Sequence, residues 1–477
     1  MARGFEGYQR LDRQETLKRN PGLAPQLQQE VSYSLEQAID EGRSDTCRVR
    51  YFNDEGRLLF WPSSPKDHHK IVRKGVTASH GSTVREADRN PDTAFRNEVR
   101  CYQDFHGTEA GKWFAELLEA NVPSRTLYLS EIEGESYRDR LSKAHNTGDE
   151  EERNRLIVEA AHHYGLFGGI LSHNTAKLEE SSRYSKERRS RRLKDYLAII
   201  VKERFPKIEG SDADILLQRT ARRVKAGINI TSKLDDIVKV SYDMVNDLRT
   251  AHGDARPQHM IIYSRRHHQR FVLDPERTNI RHPRITDLVT LTSMEAGISR
   301  PSEENLPFVV ATFLASYNAG VNGYRKKRRN RKRNRPSGVN TVRKHIRQGN
   351  YKQMEQLAGG AKTVHLALLE YLAMDIEENL HLDATNRRMG PDLRRAMCSG
   401  IQNWNEEDML SGRMNMIQKD FDYITTYEGR LKKHAGAANY HTFRNHARDY
   451  AILLTALGIG EFDTPLLESY EGIRQNK

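Results

Sequence analysis

The hydrophobic patterning predicts an α+β chain, with a small mixed strand-and-helix part followed by a much larger helical remainder. Three observations carry this. Residues 47–60 alternate around the turn Asn53-Asp54-Glu55-Gly56, which is a hairpin signal, and 70–76 reads as a third strand. From about Glu133 the apolar spacing becomes helical, over 150–175, 190–204, 211–225 and 233–250. A second hairpin signal interrupts it, with Met260–Tyr263 and Phe271–Leu273 flanking the polar turn Ser264–Arg270.

The remaining elements follow in order. Residues 1–45 read as a polar helical leader, with Leu23, Leu27, Val31, Leu35 and Ile39 at spacing four. Phe95–Phe105 has a helix pattern and Thr126–Ile132 a short strand pattern. Helices resume at 303–318, and 340–473 is again helical, with apolar stripes in 362–375 and 447–457. Between them, nine of the eleven residues Arg325–Arg335 are Lys or Arg. Such a block repels itself and resists burial, so a linker or surface arm is expected. The organisation that follows is a leader (1–45), a small first part (46–131), a helical part (132–320), a basic connector (321–339) and a helical extension (340–477).

Composition narrows the class. The chain has 477 residues, 36% hydrophobic and 30% charged, enough for a substantial core. No apolar run approaches the roughly 18 residues that would cross a bilayer, so no membrane span is expected. The N-terminal residues lack the apolar region of a secretory signal. Cys47, Cys101 and Cys398 are too few and too scattered for a disulfide framework or a zinc signature. A cytoplasmic protein is the expectation. The net charge of +12 favours anionic partners, nucleic acid among them through the 325–335 run. A solvated linker is the plainer reading of that run, but nine positive charges in eleven residues exceed what solubility requires and favour an anion-binding arm. It has no interleaved aromatics, so stacking on single-stranded bases is not indicated.

The chemistry-bearing stretch is Ala251-His252-Gly253-Asp254-Ala255-Arg256-Pro257-Gln258-His259, followed by Leu273-Asp274-Pro275-Glu276. Phosphoryl transfer from ATP needs a carboxylate to orient the acceptor hydroxyl and another to hold a divalent ion. It also needs a lysine on the phosphates and a carboxylate to place that lysine. Asp254 stands five residues before position 259, and Asp274 ends the second hairpin strand, which is the spacing of a kinase-type loop.

These residues resemble the aminoglycoside phosphotransferase and choline kinase family, the small-molecule branch of the kinase-like superfamily. His252-Gly253-Asp254 resembles the family's catalytic loop, and Asp274 with Glu276 its metal-binding Asp-x-Asp/Glu. Pro283-Arg284-Ile285-Thr286-Asp287-Leu288 is similar to its Pro-x-x-Asp-Leu segment, whose Asp steadies the helical lobe. Upstream, Val72-Arg73-Lys74 looks like the strand with the phosphate-gripping lysine, and Phe95–Tyr102 like the helix whose Glu98 pairs with it. Leu127–Gly134 looks like the hinge strand.

The resemblance spans roughly 46–320 and implies a two-lobed protein-kinase-like fold with an extra helical extension. It also implies ATP and Mg²⁺ (or Mn²⁺) as cofactors. Asp254 and His252 would be catalytic. Lys74, Glu98, Glu131 and Ile132 would bind nucleotide, and Asp274, His259 and Glu276 metal. Lys74 is preferred to Lys70, on the same strand face, because it follows the apolar pair Ile71-Val72.

Two departures stand out. Position 259 is His where the family has Asn, and hard cations prefer oxygen, so manganese or an oxygen from Gln258 enters the reading. Residues 47–65 hold a single glycine and no glycine-rich loop. Both departures favour the alternative, a catalytically weak pseudokinase that scaffolds nucleotide or RNA. A plain basic RNA-binding protein is a third reading. The acceptor is a small molecule or an anionic, nucleic-acid hydroxyl; the basic stretch Lys186–Arg192 argues against a cationic aminoglycoside. The pairs His68-His69, His162-His163 and His267-His268 lack a closing Cys or His at ligand spacing and read as solvated histidines.

Overall fold

The computed structural model describes residues 8–9, 46–52, 61–62, 68–75, 91–115, 117–121, 126–130, 132, 134–172, 248–262, 270–273, 281–294, 298–329, 338–388, 406–456 and 466. Of the expected leader helix only Tyr8–Gln9 is described, as a strand paired with Trp61–Pro62 rather than helix; the helices expected at 190–204 and 211–225 lie outside these residues. Described elements run β1 (Tyr8–Gln9), β2 (Thr46–Phe52), β3 (Trp61–Pro62), β4 (His68–Gly75), α1 (Pro91–Phe105), β5 (Leu117–Asn121) and β6 (Thr126–Ser130). Then come β7 (Glu135–Ser136), α2 (Tyr137–Asn146), α3 (Glu150–Leu171), β8 (Leu248–Thr250), β9 (Met260–Ile262), β10 (Arg270–Val272) and β11 (Arg281–Pro283). The chain continues with α4 (Thr286–Ser293), α5 (Leu306–Arg329), α6 (Gly338–Arg347), α7 (Tyr351–Ala358) and α8 (Ala361–Arg388), and ends with α9 (Glu406–Thr426), α10 (Glu428–Ala435) and α11 (Ala437–Ala456). The described chain is α+β and mostly helical.

It divides into two compact units. The first comprises 1–135 and 261–277, the second 136–260 and 278–477. In the first, four strands form a sheet of order β2-β4-β6-β5. β4 lies between β2 and β6, antiparallel to both, with Lys74 opposite Thr46 and Leu127. β5, which the sequence patterning does not signal, pairs with β6 across an irregularity at Leu117/Glu119. Helix α1 starts on Pro91, where a missing N–H costs nothing. It buries Phe95, Cys101, Tyr102 and Phe105; Phe105 stacks on Phe114.

In the second unit α2 opens on a capping box, Ser136 and Asp139 each bonding the other's backbone amide. α3 starts at Asp149, with Glu150, Glu151 and Glu152 in the first turn, where the helix dipole favours anions. The core of the unit is α3 against α5. A Cβ at Gly165 would collide with the Phe313 carbonyl, at Gly169 with that of Tyr317, and at Gly320 with that of Leu166. Glycines at these positions let the two backbones approach closely. His162 and His163, expected as solvated histidines, are buried on α3.

Two further expectations are corrected. Leu248–Thr250, expected as the end of a helix over 233–250, is a strand paired with β11, with Arg281 opposite Thr250 and Pro283 opposite Leu248. A partner strand distant in sequence overrides the local helical spacing here. Helix α5 also continues to Arg329, so the first five residues of the basic run are helical rather than linker. The backbone there prolongs a helix already held by its buried half; residues 330–337 lie outside the described ones.

Candidate active site

Strands β8 and β11 deliver two segments side by side in the second unit: 251–259 after β8, and 284–287 after β11. Gly253 has φ 79°, a left-handed conformation that a residue with a Cβ adopts only under strain. That turn aims two successive amides at one carboxylate. Asp287 Oδ2 accepts from His252 N–H and Oδ1 from Gly253 N–H, both at 2.8 Å. Asp287 is completely buried. Burial pushes its carboxyl up to about 6 and outweighs the two amide bonds, which pull the other way; the neighbouring Asp254 charge adds to the rise.

Asp254, whose backbone amide donates to His252 Nδ1 at 3.3 Å, presents a largely buried carboxylate. Arg256 Nε donates to its Oδ1 at 2.8 Å, while the Arg256 side chain keeps 35% of its surface exposed. The charge-assisted bond orients the carboxylate. The Arg256 carbonyl accepts from the Tyr164 hydroxyl at 2.8 Å, tying the loop to α3.

His252 is completely buried, its ring among those of Tyr164, Phe167 and His259 at centroid distances of 6.0 to 6.2 Å. His252, expected as catalytic, is a packed ring in the loop, and its Nδ1 accepts the Asp254 amide. His259 Nδ1 lies 2.9 Å from the Asp254 carbonyl oxygen. A carbonyl only accepts, so the ring donates from Nδ1, and in the neutral form the lone pair is on Nε2. That is the tautomer of a histidine ligand supported by a backbone carbonyl. Gln258 Oε1 is buried and has no hydrogen-bond partner among the described residues. An imidazole nitrogen and a carboxamide oxygen are the donors that these consecutive residues offer a divalent ion.

The other expected site residues fall as follows. Glu98 is completely buried on α1, in the first unit. The Lys74 backbone is in the middle of the four-stranded sheet, but its side chain, and so its pairing with Glu98, lies outside the described residues. Ile132 is half-buried. Glu131, Asp274 and Glu276 lie outside the described residues; among those described, no group of three His, Cys, Asp or Glu side chains converges as a metal site.

Sequence reading missed Arg256 and Tyr164. Arg256 stands two residues after Asp254, a spacing that signals nothing until the loop turns at Gly253. No family model matches the chain, and no curated protein sequence matches it. Among the described residues no helix is long and apolar enough to cross a membrane.

Proposed function

We propose that this chain is an ATP-dependent phosphotransferase of the two-lobed kinase-like class, moving the γ-phosphoryl group to a hydroxyl. The observation that carries the reading is the loop 252–259: a left-handed glycine, two amides clamped by Asp287, and a carboxylate at Asp254 gripped by Arg256. With Arg256 on one oxygen of the carboxylate, the other is the one to aim at a hydroxyl.

In this reading Asp254 takes the hydrogen bond of the acceptor hydroxyl through the oxygen that Arg256 does not hold, and orients its attack. Arg256 orients the carboxylate and offers its remaining guanidinium N–H groups to the phosphoryl oxygens, where negative charge accumulates. A divalent ion, when bound, neutralises the triphosphate; Asp274, Glu276, His259 and the Gln258 oxygen are the residues to hold it. Lys74, placed by Glu98, grips the phosphates, with adenine near Glu131–Ile132. The acceptor is a small molecule or a nucleic-acid hydroxyl, and the setting is cytoplasmic.

The test is ATP turnover by the full chain with Mg²⁺ and with Mn²⁺, beside Asp254→Ala. Metal-dependent turnover that the variant loses supports the enzyme. Equal background in both proteins overturns it. The second reading, a pseudokinase scaffold, is favoured by His259 in place of an oxygen ligand, and predicts nucleotide binding without turnover.

A further inference from the structure

The segment 284–300, which begins three residues before Asp287, is tied to the C-terminal helices at several points. Arg284 donates from Nε to Glu370 Oε2 at 2.8 Å and from a terminal nitrogen to Oε1 at 2.9 Å. The two side chains are only 10% and 7% exposed, so this is a two-point, desolvated fork from the segment to α8. The Thr292 and Tyr371 hydroxyls lie 2.9 Å apart. Ser293 bonds Asp375, Arg300 bridges Asp375 on α8 and Asp420 on α9, and Arg413 donates to the carbonyls of Ser293 and Met294.

On its other side the same segment holds the loop of Asp254. β11 is in register with β8, and Asp287 takes the His252 and Gly253 amides. Glu370 therefore reaches those amides through Arg284, one turn of chain and Asp287. Buried ion pairs often contribute little net stability compared with apolar replacements of the same volume. What a two-point fork does supply is direction.

We propose that Glu370 is a positioning residue for the loop. Through the Arg284 fork, α8 sets where Asp287 stands, and hence the aim of the Asp254 carboxylate. The C-terminal helices are thus part of the catalytic machinery rather than an appended domain. The catalytic half of this proposal rests on the phosphotransferase reading; the anchoring half does not.

The experiment uses the full chain as wild type, Glu370→Gln and Arg284→Lys. Tyr450→Phe, which deletes a hydroxyl bonded to Glu377 on the same helix, is the control. Hydrogen–deuterium exchange is read at the amides of His252 and Gly253, and ATP turnover in parallel. Glu370→Gln should raise exchange at those two amides about tenfold, the loss of one charge-assisted bond. It should lower kcat by a similar factor with KM for ATP unchanged, and leave exchange in α11 as in wild type. Tyr450→Phe should do neither. Should Glu370→Gln fail to fold, Arg284→Lys, which keeps the charge but loses the fork, carries the same expectation. Unchanged exchange at 252–253 in a folded variant, or a rise spread evenly over the unit, overturns the proposal. A wild type without metal-dependent turnover overturns the phosphotransferase reading, while the exchange result still decides the anchoring.

Discussion

Asp287 and Gly253 are joined by a 2.8 Å hydrogen bond in which a fully buried carboxylate oxygen takes the amide of a left-handed glycine. The neighbouring His252 amide goes to the other oxygen, so the turn before Asp254 is held at two points by one side chain.

The first consequence concerns pH. A carboxyl that titrates at about 6 when folded, against an ordinary 3.8, binds its proton more tightly in the folded chain. Its contribution to stability is therefore complete below pH ~4, declines as the pH rises through about 6, and stays flat above; the loss amounts to ~3 kcal/mol at most. Burial also raises the Asp420 carboxyl and lowers the His365 imidazole, so the wild-type slope alone has several sources. Subtracting Asp287→Asn denaturation curves, taken from pH 4 to 7, isolates the Asp287 part. Identical slopes in both proteins would show that its carboxyl is not perturbed.

The second concerns Gly253 itself. Gly253→Ala forces a Cβ into left-handed backbone, at a cost of about 1–2 kcal/mol. A lower Tm with turnover reduced more than stability is expected. An alanine variant with wild-type melting and turnover would mean that the loop relaxes freely.

Asp254→Ala should lower ATP turnover by roughly 10²–10⁴-fold, the usual range for a lost general base, without unfolding the chain. Circular dichroism and steady-state kinetics on the same preparation separate the two effects.

For Arg256, lysine is not a conservative replacement, because the bond to Asp254 comes from Nε, which a lysine lacks. Arg256→Lys should lose most of what Arg256→Ala loses, about 10- to 100-fold in kcat. Full activity in the lysine variant would reduce Arg256 to a source of charge.

His259→Asn should shift the preferred ion toward Mg²⁺, since an oxygen donor replaces a nitrogen. Mg²⁺ and Mn²⁺ binding measured by calorimetry, alongside turnover, reads the change. An unchanged preference would place His259 outside the metal site.

Much of this was legible in the sequence because it depends on neighbours along the chain. His252-Gly253-Asp254 needs a glycine for its turn, and the Asp287 segment announces itself by Pro283 and the apolar residues after it. Helix α3 shows a capped start and acidic first turn. What was illegible depends on partners far away. Leu248–Thr250 has helical spacing locally, and only the arrival of Arg281–Pro283 makes it a strand. Asp375, Asn379, Asp383 and Asn386 recur at helical spacing, a pattern that ordinarily marks a solvated face, yet all four are buried on α8. Asp375 and Asn379 meet Arg300 and Arg413, which no local pattern pairs with them, whereas Asp383 takes Arg387 one turn further along the helix.

Arg284 and Arg300 leave the ribosome well before Glu370, Asp375 and Asp420, the carboxylates that they grip on the C-terminal helices. Glu370 follows Arg284 by 86 residues; Asp375 and Asp420 follow Arg300 by 75 and 120. At ~5–20 residues per second, that leaves an interval on the order of ten seconds in biosynthesis during which both guanidiniums must stay hydrated. The Asp254 loop is accordingly among the last parts to mature. A chain ended near residue 320 would strand two cations at interior positions and should be recovered as an insoluble product.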